Sequence, residues 1–211
     1  MAYEIWKASR HVQRMFSEYT RARRMQAFSR RMRPNASMRV LDLGGTPSVW
    51  QHVPTCWSIT IVNLPGETGA HMPSHHALRF VEGDACNLPE FEDRSFDMVF
   101  SNSVIEHVGD EFRQTAFARE VRRLGKSYWV QTPSKWFPIE AHTAMPLWWF
   151  YPESTRRYFL NRWRATLPAW SDSMAATRVL SRERMQQLFP DSLLYVESFA
   201  GIPKSYAAYS P

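Results

Sequence analysis

The run Arg39-Val40-Leu41-Asp42-Leu43-Gly44-Gly45-Thr46-Pro47 restricts this chain more than any other stretch. Val40, Leu41 and Leu43 make a short apolar strand of the kind buried in a sheet. Gly44 and Gly45 permit a sharp turn and a close approach of backbone to ligand. Thr46 and Pro47 then offer an N-cap and a proline at the first helical position. Strand, glycine turn and helix start, in that order, form the usual seat of a nucleotide-like cofactor. The full G-x-G-x-x-G is missing. Its second and third glycines serve pyrophosphate approach and close helix packing, so this turn suits a ligand without phosphate.

A chain of 211 residues holds one domain with a sizeable core and room for an extension. Nine Trp and thirteen Phe are many for that length, so beyond the core some aromatic surface is expected to face a ligand, a partner or lipid. Cys56 and Cys86 are not closely spaced, and neither a secretory signal nor an apolar run of about 18 residues is present; this predicts a reduced, cytoplasmic, non-spanning protein. Charge is uneven. Within residues 1–33, nine Lys/Arg face only Glu4 and Glu18, an excess larger than the net +6 of the whole chain. Ile5, Val12, Met15, Phe16, Tyr19, Phe28 and Met32 recur at near-helical spacing, so residues 1–36 read as an amphipathic segment of one or two helices. Three uses stay open for it: packing over the ligand cleft with solvated arginines, lying on anionic lipid, or touching nucleic acid. A mitochondrial presequence has similar composition, but the aromatic stripe is built for packing.

Beyond the break at Pro34-Asn35-Ala36-Ser37, apolar runs alternate with helical stretches, the pattern of a parallel sheet covered on both faces. Strands are expected at 39–43, 58–63, 78–82, 96–101 and 127–131, with a short helix near 48–53. A longer helix runs from Asp110 to Arg123 and is closed by Gly125. Between Pro133 and Leu180, prolines interleave with aromatic residues too irregularly for a simple crossover helix. Residues 134–180 are therefore expected to form an aromatic-rich lid or substrate-side insertion. A helix at 181–189 with Ser181 as N-cap follows, and Leu193–Phe199 with Ser205–Tyr209 reads as a closing antiparallel hairpin.

Two later runs complete a pattern: Phe80-Val81-Glu82-Gly83-Asp84-Ala85 followed by Leu88-Pro89, and Ser95-Phe96-Asp97-Met98-Val99-Phe100-Ser101-Asn102-Ser103-Val104-Ile105-Glu106-His107-Val108. With Val40–Gly45, in this order and spacing, they resemble the class I S-adenosylmethionine-dependent methyltransferases, of the type 11-like family, over about Arg39 to Thr132. The resemblance implies an α/β, Rossmann-like fold over residues 37–211. Its sheet would have seven strands in the order 3-2-1-4-5-7-6, with strand 7 antiparallel and helices on both faces. It also implies a one-carbon transferase whose cofactor, S-adenosyl-L-methionine, has no phosphate.

Carried onto this chain, the family pattern assigns cofactor contacts to Asp42, Gly44, Gly45, Asn63, Asp84, Ala85, Asn102 and Ser103. Asp42 would organise the turn and meet the cofactor's ammonium through water, or act as an N-cap-like structural group. Gly44 and Gly45 would let the cofactor approach. Asn63 stands where the family usually has an acid for both ribose hydroxyls; an amide oxygen accepts one, and Glu67 is a possible substitute. Asp84 would accept the adenine amino group and Ala85 would offer its N–H, unless Gly83-Asp84 is a plain turn. Asn102 and Ser103 would border the methyl-bearing end.

Methyl transfer needs alignment above all, and a base only where the acceptor must lose a proton. Candidates are His142 with Glu140 to orient it, the alternative being a loop tied down by its polar residues. His107, beside Glu106, is the other candidate, with packing or orientation the favoured role. The acceptor is expected to be an oxygen or nitrogen of a small molecule, glycan or lipid-like metabolite, with peripheral membrane contact through the basic helix and no nucleic-acid partner. The alternative is a non-catalytic S-adenosylmethionine-binding or nucleic-acid-interacting protein on the same fold. His71, His75 and His76 cluster without a cysteine pair or H-E-x-x-H, so they read as solvated loop histidines rather than a metal site.

Overall fold

The computed structural model describes residues 2–35, 37–66, 74–140 and 142–211, with side chains described from residue 16 onward. Seven strands form one sheet: β1 Arg39–Leu43, β2 Ser58–Asn63, β3 Ala77–Glu82, β4 Phe96–Asn102, β5 Gly125–Pro133, β6 Leu193–Phe199 and β7 Ile202–Ser210. Their order is β3-β2-β1-β4-β5-β7-β6, and β7 alone runs opposite to the other six strands. The expected order and direction are therefore found. The hairpin β6–β7 turns on Ala200 (φ 49°) and Gly201 (φ 80°), the two left-handed residues that a tight hairpin matched to strand twist requires.

Strand alternation divides the core in two. Leu41, Leu43, Val99 and Val130 face helices α3 (Glu111–Leu124) and α6 (Arg182–Leu188), packing on Phe117, Val121, Met185 and Leu188. Val40, Ile59, Ile61, Met98, Phe100 and Trp129 face the opposite way, toward helix α1 (Ala2–Met32) and the single turn α2 (Pro47–Trp50). The amino-terminal segment is thus one helix; of its apolar stripe Phe28 and Met32 pack on the sheet together with Met25, whereas Tyr19 is exposed. Phe28 is fully buried there, with its ring 5.3 to 6.4 Å from those of Trp50, Trp57, Phe100 and Trp129. Truncating such a side chain costs about 3–5 kcal/mol, enough to hold an arginine-rich helix on an apolar face. Among the described residues no helix is long and apolar enough to cross a membrane.

Three expectations need correction. Thr46 precedes α2 but does not cap it: its Oγ1 lies 3.0 Å from Ser48 Oγ and makes no bond to the helix backbone. Residues 134–180 are less irregular than their prolines suggested, holding a 3₁₀ turn at Trp148–Phe150 and helices α4 (Glu153–Arg164) and α5 (Pro168–Ala176). Pro152 is the residue before α4 and Pro168 opens α5, so these prolines mark helix starts rather than breaks. His75 is exposed as expected, but His76 is not solvated. Their Nε2 atoms lie 2.8 and 3.0 Å from the carbonyls of Val53 and Trp50, and His76 is buried. His71 and Glu67 fall outside the described residues.

Candidate active site

Four parallel strand ends, those of β1 to β4, carry the glycine turn and most of the polar residues singled out above. Alternation sends Asp42 to the same side as Val40, where its Oδ2 accepts from Trp50 Nε1 at 2.7 Å. Oδ1 has no partner although the carboxyl is fully buried, and burial pushes its pKa up to about 7 against the pull of the Trp50 bond. Gly44 turns at φ +70° and donates to Val62 O at 2.8 Å. A Cβ on Gly45 would stand 1.8 Å from Asp42 Oδ2, so that position must be glycine for the carboxylate to sit under the turn. Asn63, the last residue of β2, donates its amide to Gly45 O at 3.2 Å, tying the turn to the second strand and leaving its Oδ1 as an acceptor.

Past β3, Asp84 closes a local turn by accepting from Cys86 N at 3.0 Å and receives both arms of Arg113 at 2.8 and 2.9 Å. Burial would raise its pKa, but the guanidinium and the Cys86 N–H outweigh that and hold it below the usual carboxylate range. Three of roughly four lone-pair sites are therefore used. The carboxylate keeps 37% of its surface exposed, and the neighbouring Ala85 packs partly against the core.

At the end of β4 the structure brings together residues that sequence reading did not join. Arg24 of α1 is buried, and its guanidinium donates to Glu197 Oε2 (2.9 Å), Asn102 Oδ1 (2.7 Å) and Gln131 Oε1 (3.3 Å). Gln131 Oε1 also accepts from the hydroxyl of Ser103, which sits at φ 58°. Packing with solvated arginines is one of the three uses left open for this helix, and Arg24 departs from it. It lies next to Met25 and one turn before Phe28, so the helical period alone would have placed it on the packed side. A buried cation joined to one carboxylate and two amides is costly to break from either side.

Glu106 and His107 follow. Glu106 is fully buried; its Oε2 accepts from Thr132 Oγ1 at 3.0 Å and its backbone carbonyl from Arg178 N at 2.7 Å, so it braces the loop. Burial raises its pKa to about 7. His107 Nδ1 lies 3.1 Å from Thr177 Oγ1, and burial together with the charge of His142 lowers its pKa to about 4, so it stays neutral at ordinary pH. His142 differs. Its ring stands edge-on to that of His107 with centroids 5.0 Å apart, and its Nδ1 lies 2.8 Å from Glu140 Oε1. Burial opposes its charged form, yet the Glu140 carboxylate outweighs burial and raises the pKa above 6.5. Glu140 Oε2 meanwhile accepts from the backbone N–H of His142 and of Thr143, and that carboxyl is held below its usual range although burial works against it.

Comparison with known proteins adds three findings. Residues 55–127 match the family model described as a methyltransferase domain, a span that begins after the glycine turn. No curated protein matches the chain in sequence. Solved structures match it in fold. A S-adenosylmethionine-dependent methyltransferase from Methanosarcina mazei is 14% identical with a TM-score of 0.51, over 83% of this chain and 92% of that one. A putative methyltransferase of Haloferax volcanii, solved with the Trm112 methyltransferase activator, is 14% identical with a TM-score of 0.53, over 95% and 94%. Phosphoethanolamine N-methyltransferase 2 of Haemonchus contortus, solved with S-adenosyl-L-methionine, is 16% identical with a TM-score of 0.54, over 83% of this chain and 38% of that one. Residues 55–127 thus carry a methyltransferase-domain match, and the chain as a whole has the fold of the class I S-adenosylmethionine-dependent methyltransferases.

The residues at these strand ends fit S-adenosyl-L-methionine, the molecule held in the Haemonchus contortus structure. The orphaned Asp42 oxygen beneath the glycine turn lacks a donor that the ammonium of an amino-acid tail, or a water bound to it, would supply. Asn63 Oδ1 and the remaining lone pair of Asp84 are acceptors at the ends of the next two strands, as a ribose and an adenine require. Among the described residues no cluster of His, Cys, Asp or Glu could hold a metal ion.

Proposed function

We propose that this methyltransferase methylates an oxygen or nitrogen of a small-molecule, glycan or lipid-like acceptor, held between the end of β4 and residues 134–180. In this reading Asp42 receives the cofactor's tail, Asn63 one ribose hydroxyl, and Asp84 with the N–H of Ala85 the adenine, while Asn102 and Ser103 border the methyl end. Bound cofactor supplies a methyl already activated on a sulfonium, so the chain's task is to align the acceptor and manage its proton. Bound there, S-adenosyl-L-methionine would give its methyl to the acceptor's lone pair and keep the carbon–sulfur electron pair. The acceptor's proton passes to His142 Nε2.

The Glu140–His142 pair carries this reading. Its Nδ1 contact with Glu140 leaves Nε2 for the substrate, and a pKa above 6.5 matches a base that works near neutrality. His107 is the packing partner, being neutral and engaged with Thr177. Peripheral contact of α1 with a membrane would bring a lipid-like acceptor to the same edge. The test is to supply methyl-labelled cofactor with separate pools of soluble metabolites, glycans and lipids. One pool should take up label, with transfer about a hundredfold slower in His142→Ala. Undiminished transfer by that variant removes the base assignment.

A further inference from the structure

An open cavity of about 1010 Å³ lies between the amino end of α3, helices α4 and α5, and the start of α6. That volume is ample for a small-molecule ligand. Its walls carry Lys135, Arg156, Arg157, Arg164, Arg178 and Arg184 against only three carboxylates, those of Asp110, Glu111 and Glu153. Two of the cations are neutralised: Arg157 pairs with Glu153 at 3.1 Å and Arg164 with Asp172 at 2.8 Å. The other four have no carboxylate partner at ion-pairing distance among the described residues. Arg178 spends its guanidinium on the carbonyls of Ala175 and Thr177, and Arg184 on Glu111 O and Thr115 Oγ1. Arg156 stands over the Trp149 ring, and the Nε atoms of Arg156 and Arg184 are shut off from solvent with no acceptor.

Like charges gathered around one concavity repel. A multiply charged oxyanion relieves that repulsion, and the guanidinium fork matches phosphate oxygens in pairs. The cavity also adjoins the reacting end: Thr177, one of its walls, is the residue that holds His107. We propose that this cavity binds the phosphate of a soluble phosphate-ester acceptor, presenting the rest of the molecule toward His142. The proposal rests on the methyltransferase reading above and names the acceptor class for the same site.

Calorimetry on the full chain tests it, with pyrophosphate and glucose 6-phosphate as probes, glucose as the uncharged control, and S-adenosylhomocysteine titrated separately. Both phosphates should bind once per chain and glucose should not. Arg156→Gln and Lys135→Gln should each weaken phosphate binding at least tenfold while S-adenosylhomocysteine affinity stays within twofold and the melting temperature is unchanged. Phosphate binding that is absent, or equal in wild type and both variants, overturns the proposal. So does binding seen only with vesicles containing phosphatidic acid, or only with a single-stranded oligouridylate, since those would assign a lipid headgroup or an RNA instead. Failure of S-adenosylhomocysteine to bind the wild type overturns the methyltransferase reading itself, whatever the phosphate arms give.

Discussion

The two sides of the site are built by different means. On the cofactor side, β1 to β4 end in a turn fixed by sheet hydrogen bonds, by the buried Asp42 carboxyl under Gly45, and by Asn63 fastening that turn to β2. On the acceptor side, α4 buries none of its residues, and ring contacts among Trp148, Phe159, Trp163 and Trp170 hold the segment together. Backbone pairing tolerates little adjustment, whereas an exposed aromatic layer can be reshaped at modest cost. Damage on the first side should therefore remove folding and cofactor binding together. Damage on the second should change acceptor handling and leave the sheet standing.

The sharpest break in that comparison is Gly45→Val. Its side chain would overlap the Asp42 carboxylate, so a stability loss of about 3 kcal/mol or more is expected in urea unfolding. Thermal stabilisation by S-adenosylhomocysteine should vanish with it. The matched variant, Trp163→Ala, should abolish acceptor turnover while leaving that stabilisation intact; loss of both would show that the two sides are one unit.

Next in size is His142→Ala, expected to lower kcat about a hundredfold without moving cofactor affinity, as measured in steady-state and binding assays. Glu140→Gln should act more gently. The carboxylate raises the His142 pKa, so without it the base is neutral at lower pH, and the acid limb of the pH–rate profile should shift downward. An unmoved limb would separate Glu140 from the proton. The pair also has a stability signature. The depressed Glu140 contribution is present above its ordinary pKa of 4.5 and fades as pH falls, and the raised His142 contribution is present below 6.5 and fades as pH rises.

Asp42→Asn should have the smallest effect and the opposite sign. A carboxyl whose folded pKa is about 7 keeps its proton in the folded state where the unfolded chain, near 3.8, has lost it. Wild-type stability therefore declines between about pH 4 and 7, and Glu106, also raised to about 7, adds to the same slope. The amide should keep the Trp50 bond and gain about 1–2 kcal/mol over wild type at pH 8, a difference that disappears below about pH 4. Denaturation at the two pH values checks it.

The strands and the glycine turn were legible because they depend on neighbours close in sequence: an apolar run, two glycines, a following helix start; the sheet order came only with the family resemblance. The α4–α5 pair was missed because Pro152 and Pro168 look like breaks until the helix starts they mark are seen. Arg24 was missed for a different reason. Its partners Asn102, Gln131 and Glu197 are between 78 and 173 residues away, and only packing reveals that a helix otherwise rich in solvated arginines buries this one. Trp50, which holds Asp42, was likewise not singled out. The Glu140–His142 pair was legible because the two residues are adjacent but one, whereas the basic cavity gathers four separate elements that no local pattern joins.

Isothermal titration of S-adenosylhomocysteine at pH 7, repeated in buffers of different ionisation enthalpy, tests the central claim most directly. The tail ammonium should meet a half-protonated Asp42 and draw its pKa down. Binding at one site per chain is then accompanied by proton release that Asp42→Asn abolishes. No binding at millimolar ligand, or binding whose enthalpy is the same in every buffer, would contradict the account.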